Sequence, residues 1–307
     1  MSESESPREP LAWRLRAIVG EENVLANEPM SEHTTFRVGG PADLYVVPES
    51  FDEVRDVLLA CDEAGVERFV LGRGSDLLVS DEGYRGVIVA LGEGLMGVSV
   101  DGTEMTCQAG VDLREASEMA CELGLSGLEF ACGIPGSVGG ACFMNAGAYG
   151  GCVADVLESV RVLLPDGSQE TLGVDELDLG YRRSRVASEG LVVLSATFGL
   201  DRGDPEKIRA TMDDLTRQRE EKQPLEMASA GSTFKRPEGH FAGKLVMDAG
   251  LQGYRVGGAE VSRKHAGFVV NTGGATAADV RAVIGHVQDE VERQFGVRLE
   301  PEVRFLG

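Results

Sequence analysis

Three short clusters in this chain carry side chains able to do chemistry on an anionic substrate. Tyr181-Arg182-Arg183-Ser184-Arg185 places three guanidinium groups within four positions, and forked N–H donors of this kind grip a carboxylate or phosphate. Gly231-Ser232-Thr233-Phe234-Lys235-Arg236-Pro237 sets two hydroxyls between a glycine and two cations. A serine has no acidity of its own near neutral pH, so it donates a proton only in a positive field or through water. Leu299-Glu300-Pro301-Glu302-Val303-Arg304-Phe305 holds a carboxylate inside an otherwise β-type apolar run, an unusual place for a charge. Each cluster also has a plain structural reading: a solvated loop, a turn with exposed charge, and an edge-strand ion pair with Arg304.

Two glycine runs complete the set. Gly133-Ile134-Pro135-Gly136-Ser137-Val138-Gly139-Gly140-Ala141 is followed at once by Asn145-Ala146-Gly147-Ala148-Tyr149-Gly150-Gly151, and Gly72-Arg73-Gly74-Ser75-Asp76 follows the apolar run Phe69-Val70-Leu71. Glycine is costly to order and proline removes a donor. Such backbone suits close approach of N–H groups to a diphosphate, and two such loops suit a dinucleotide held along its length. Neither is the G-x-G-x-x-G that opens a helix in doubly wound nucleotide-binding folds. The alternative for both is a tight turn.

Composition sets bounds. With 307 residues, about two domains are expected. A net charge of −22 argues against a nucleic-acid surface, and an anionic ligand then needs a local basic pocket. No apolar run reaches membrane length, and Met1–Pro7 is polar and acidic, unlike a secretory signal. A disordered tail and a cytoplasmic protein are expected. Cys61, Cys107, Cys121, Cys132, Cys142 and Cys152 form no C-x-x-C and pair with no histidines at zinc spacing, so they read as reduced thiols in or near the core. His33, His240, His265 and His286 are scattered, and no metal site is expected.

The elements that must position these groups alternate between helix and strand. A helix over Asp52–Ala64 is capped by Ser50 and ended by Gly65, with Val54, Val57, Leu58 and Cys61 on one face. Strands are expected at Arg68–Leu71 and Gly86–Leu91, and a helix at Asp112–Leu123. A hairpin turns at Pro165-Asp166-Gly167, and Leu191–Leu200 is a further strand. Asp204-Pro205 opens a charged helix to about Glu221, and a domain boundary is expected near its start. Then come a short helix at Lys244–Ala249, a strand at Gly267–Val270, a long helix capped by Thr276 with Asp279 as its capping-box partner, and a closing strand at Arg298–Phe305.

Taken in order, Thr35-Phe36-Arg37-Val38-Gly39-Gly40, Gly72-Arg73-Gly74-Ser75-Asp76, Gly133–Gly140, Asn145–Gly150, Tyr181-Arg182, Gly231–Lys235 and Glu300–Arg304 resemble the bacterial UDP-N-acetylenolpyruvoylglucosamine reductases from about Thr34 to Gly307. Arg182 and Ser232 lie only fifty positions apart, which resembles the shorter subclass without a tyrosine-bearing insertion. The resemblance implies an α+β chain: an FAD-binding domain of the vanillyl-alcohol-oxidase (PCMH) type, made of two α+β subdomains, and a smaller α+β substrate-binding domain. The implied division is a tail and first helix over 1–22, the FAD domain over 23–203 with subdomains of about 23–92 and 93–203, the substrate domain over 204–299, and a last strand over 300–307 returning to the FAD domain.

The same resemblance implies non-covalent FAD, NADPH as electron donor and UDP-N-acetylglucosamine enolpyruvate as substrate. It places Arg182, Ser232 and Glu302 in catalysis. Leu71, Gly72, Arg73, Gly74, Ser75, Asp76, Leu77, Gly133, Ile134, Pro135, Gly136, Ser137, Gly139, Gly140, Asn145, Gly147 and Ala148 fall on the cofactor, and Tyr149, Lys222, Arg236 and His265 on the substrate. A monomer is expected, with a weak dimer as the alternative. Two other readings stand beside it: an FAD-dependent oxidase or dehydrogenase of the same fold, and a non-catalytic nucleotide-binding protein. Leu71–Gly74 offers no histidine or cysteine to tether a flavin.

Overall fold

The computed structural model describes residues 8–307, so the tail expected over Met1–Pro7 lies outside the described residues. The helix Phe51–Ala64 forms as its sequence dictates. Ser50 Oγ accepts the Glu53 N–H at 3.2 Å, Gly65 closes the helix at φ 63°, and Val54, Val57, Leu58 and Cys61 are buried. Each such side chain contributes roughly 1.5–3 kcal/mol on burial. Leu113–Glu122 likewise starts at Asp112, whose carboxylate accepts the Arg114 N–H at 2.8 Å.

Two larger sheets are built from strands between Val24 and Gly199. One has four strands in the order Val24–Pro29, Pro41–Val46, Tyr84–Ala90, Arg68–Leu71, the last two parallel. The other is antiparallel, in the order Gln169–Gly173, Leu157–Leu163, Val192–Gly199, Glu104–Gln108, Val98–Asp101. The expected hairpin supplies its first pair, with Val160 opposite Leu172. The α+β class expected from the sequence stands.

By contacts the chain forms two units. One comprises residues up to 26, 44–73 and 86–218; the other 27–43, 74–85 and 219–307. This partition is discontinuous, whereas the sequence suggested continuous segments. The reason is side-chain burial: Phe36, Val38 and Leu78 sit in one apolar cluster with Val280, Val283, Ile284 and Val287 of the helix Ala277–Phe295. No local pattern reports that association.

The helix Ala277–Phe295 has every donor of its start satisfied. Thr276 and Asp279 exchange hydrogen bonds at 3.0 and 3.1 Å, as the capping box predicts. Asp81 then accepts the Ala277 and Ala278 N–H groups at 2.7 and 2.9 Å, meeting the remaining orphans. The short helix is Ala242–Asp248, beginning two residues earlier than expected. The closing strand is a correction: only Arg304–Leu306 is strand, parallel to Leu77–Val79, rather than the expected run from Arg298. Before Arg304, this segment forms only the isolated bridge of Pro301 with Phe234.

A candidate flavin cradle and a candidate proton-donor ladder

The two glycine runs meet. A Cβ built on Gly72 would lie 2.4 Å from Ser137 Oγ, so the loops that the sequence singled out separately are in direct contact. Part of the glycine requirement is therefore packing rather than ligand. A Cβ on Gly139 would come 2.9 Å from that of Ala109, and one on Gly74 would lie 2.0 Å from the His33 carbonyl oxygen at a φ of 61°. Gly140 is different, with only Ser137 Oγ nearby at 3.4 Å.

The chemistry of the donor set fits a diphosphate. No described residue accepts from the N–H groups of Arg73, Gly74 or Ser75. Ser137 pairs with Asp112 through bonds made by its neighbours, Val138 N–H to Val111 and Leu113 N–H to Gly136, so its own N–H faces away from that strand. Ser137 also caps the helix Val138–Met144 by accepting the Gly140 N–H at 3.2 Å.

Asp112 was legible as a helix cap but not as part of this site. Its side chain is 3% exposed; Arg73 Nε lies 3.1 Å from Oδ2 and Arg114 Nη2 3.0 Å from it. Burial pushes this carboxyl up, but the hydrogen bonds and charge of Arg114, with the charge of Arg73, outweigh burial and hold it below its ordinary value. Two arginines on one carboxylate leave a net positive charge beside the open amides, which a phosphate group requires.

The other candidates of this unit sit on strained turns. Gly147–Ala148 and Gly151–Cys152 form a hairpin whose loop is Tyr149-Gly150, with φ of 54° and 90°. Gly180 and Arg183 exchange backbone bonds at 3.0 and 3.2 Å around Tyr181-Arg182. Arg182 has φ 52°, the left-handed third position of a turn that glycine or asparagine normally takes. A large side chain there is strain of the kind that gathers at functional sites. Its guanidinium carbon lies 5.2 Å from the Tyr181 ring centroid.

In the second unit Glu302 is paired opposite Thr233, the residue that follows Ser232, in a short ladder. Phe234 is opposite Pro301, Glu302 N–H donates to the Thr233 carbonyl at 2.9 Å, and Lys235 N–H to the Glu300 carbonyl at 2.9 Å. Pro301 occupies the one position in this pairing that needs no N–H. Lys235 Nζ closes on Glu300 Oε1 at 2.5 Å. Thr233 is fully buried; its N–H donates to Gly267 at 2.8 Å and its hydroxyl accepts from Val269 at 2.9 Å, while Ser232 beside it is exposed.

His265 belongs to the same neighbourhood. Its Nδ1 accepts the Gly267 N–H at 3.1 Å, which places the proton of the neutral ring on Nε2. Burial lowers its pKa below the ordinary histidine value. The neutral ring is then favoured in the fold, so this contribution to stability is complete above the unfolded value and is lost as pH falls through the folded one. In an imidazole NMR titration, His265 is expected to show the Nε2–H tautomer with a midpoint below 6.5. A midpoint at or above 6.5, or protonation at Nδ1, contradicts this environment. Arg236 stacks 4.2 Å over Phe241, and Lys222 closes the helix Pro205–Lys222.

The cysteines lie in or near the core, as the sequence suggests: Cys61, Cys107, Cys121 and Cys142 are buried, and Cys132 and Cys152 half-buried. Burial pushes Cys61 up to about 11 and Cys107 and Cys142 up to about 12.

The chain is similar to known proteins. Residues 42–173 match the family model described as an FAD binding domain, and residues 223–306 match the C-terminal domain of UDP-N-acetylenolpyruvoylglucosamine reductase. The reductase of that name from Clostridium kluyveri is 48% identical over 97% of this chain and 98% of its own length. Its counterpart from Geobacillus thermodenitrificans is 52% identical over the same shares. The crystal structure of the Thermus caldophilus reductase superposes with a TM-score of 0.79 at 35% identity, covering 92% of this chain and 98% of that one.

Proposed function

Since the chain belongs to the UDP-N-acetylenolpyruvoylglucosamine reductase family, we propose that it reduces the enolpyruvyl ether of UDP-N-acetylglucosamine enolpyruvate with NADPH as electron donor, using Arg182, Ser232 and Glu302. It is an FAD-dependent oxidoreductase of peptidoglycan precursor synthesis. The assignment of roles is supported by the resemblance at Tyr181-Arg182, Gly231–Lys235 and Glu300–Arg304, and by the pairing of Glu302 with Thr233, the residue next to Ser232.

The backbone N–H groups of Arg73, Gly74, Ser75 and Ser137 would hold the FAD diphosphate, with the Arg73 side chain positioned by its ion pair with Asp112. When bound, FAD supplies the hydride that adds to the substrate's methylene carbon. Negative charge then gathers on the α-carbon and carboxylate, and the Arg182 guanidinium stabilises that charge more than it stabilises the ground state. Ser232 gives its proton to the α-carbon, which completes the saturated ether, and recovers one from solvent. Glu302 supports the same enol-like state. Tyr149, Lys222, Arg236 and the Nε2–H of His265 hold the sugar nucleotide; Lys222 and Arg236 supply the charge its diphosphate needs.

We place the enzyme in the cytoplasm as a monomer. Among the described residues, no helix is long and apolar enough to cross a membrane. The test is anaerobic NADPH oxidation with and without UDP-N-acetylglucosamine enolpyruvate. Acceleration by the sugar nucleotide supports the reading. Oxidation that only oxygen sustains overturns the substrate and keeps the flavin.

A further inference from the structure

The helix Val138–Met144 begins in the cofactor loop and ends at the arginine turn. Ser137 caps its start. At its other end Asn145 takes a φ of 44° and is buried, with both polar groups of its side chain engaged: Nδ2 donates to the Gly180 carbonyl at 3.1 Å, and Oδ1 accepts the Ala154 N–H at 3.0 Å. Two residues earlier, the Phe143 carbonyl accepts from Ser184 Oγ at 2.7 Å. Gly180 and Ser184 flank the Tyr181-Arg182 turn, so this helix end grips both feet of the turn that presents Arg182. Seven helical residues span about 10 Å, a rigid strut from Ser137 to the arginine turn.

We propose that Asn145 is a positioning residue for Arg182: its carboxamide fixes the arginine turn relative to the flavin cradle, and it acts on the reaction only through that arginine. The proposal rests on the reading of Arg182 given above. The carboxamide is suited to this because it offers a donor to one strand and an acceptor to another from one rigid plane, and asparagine tolerates the left-handed backbone required at a helix C-cap. A misplacement of about 1 Å at a group that orients substrate can cost up to ~10²-fold in rate.

Two variants separate backbone from side chain. Asn145→Gly keeps the left-handed conformation and removes both side-chain bonds. Asn145→Asp keeps the acceptor for Ala154 and turns an oxygen toward the Gly180 carbonyl. In protein that retains flavin, both are expected to slow flavin reoxidation by UDP-N-acetylglucosamine enolpyruvate by about 10- to 100-fold, and to slow it more than they slow flavin reduction by NADPH. In an Arg182→Ala background, Asn145→Gly is expected to add less than about a further twofold, because residues acting as a unit are not additive.

Full additivity in that double variant overturns the proposal, since a general packing defect would show it. So does loss of flavin or of the fold in both single variants, which would tie Asn145 to the cofactor or the core instead. Normal reoxidation in Asn145→Gly beside slow reoxidation in Arg182→Ala overturns the positioning role alone. Normal reoxidation in Arg182→Ala removes the functional reading, and the proposal with it.

Discussion

Ser232→Ala is expected to slow flavin reoxidation by the enolpyruvyl substrate by about 10²- to 10⁴-fold, the range for a lost general acid, while NADPH reduces the flavin at near the wild-type rate. The expectation is sharp because the substitution is local. Ser232 is exposed, and the ladder beside it is held by the backbone of Thr233, Lys235, Glu300 and Glu302 together with the buried Thr233 hydroxyl. Removing one exposed hydroxyl leaves those bonds in place. Stopped-flow measurement of the two half-reactions separates the outcomes. An equal loss in both removes serine from the proton-donor role, and unchanged reoxidation removes it from the reaction. Ser232→Cys, which keeps a proton on a slightly longer bond, is expected to recover part of the rate.

The second large effect sets stability against rate. Arg182→Gly is expected to lose about 10²- to 10³-fold in the same half-reaction, the scale for losing a group aimed at developing charge. The same change is expected to make the fold more stable by up to about 1.5 kcal/mol. A non-glycine residue in the left-handed region costs roughly 1–2 kcal/mol, and glycine's own entropy takes back roughly 0.5–1 kcal/mol of that. Arg182→Ala keeps the strain and loses the charge, so it should match glycine in rate and fall below it in melting temperature. Were Arg182→Gly less stable than Arg182→Ala, the φ of 52° would not be a cost borne for function.

What the sequence made legible was local. Ser50, Gly65, Asp112 and the Thr276–Asp279 pair announced helix ends because capping is a matter of three or four residues. The order of the motifs carried the family and hence the α+β class. What stayed hidden was set by distant partners. Asp81 gives no sign in its own neighbourhood that it caps a helix starting at Ala277. Nothing near Asn145 points to Gly180. Gly139 and Gly72 looked like ligand backbone, and only the neighbours Ala109 and Ser137 show that packing demands them too. The closing strand was overlong because apolar alternation through Leu299–Phe305 says nothing of which residues find a partner strand.

The discontinuous second unit also fixes an order of events during synthesis. Its early segments, 27–43 and 74–85, emerge with Phe36, Val38 and Leu78 already made, yet the side chains that bury them lie beyond residue 218. At ~5–20 residues per second, the ribosome needs on the order of ten seconds to make the intervening stretch. Throughout that interval Leu77–Val79 is a strand waiting for Arg304–Leu306, made more than two hundred residues later. Parallel pairing over such a separation is slow even once both strands exist. The nascent chain therefore carries unpaired apolar backbone for most of its translation, and its yield in a cell should depend on holding chaperones more than its final stability would suggest.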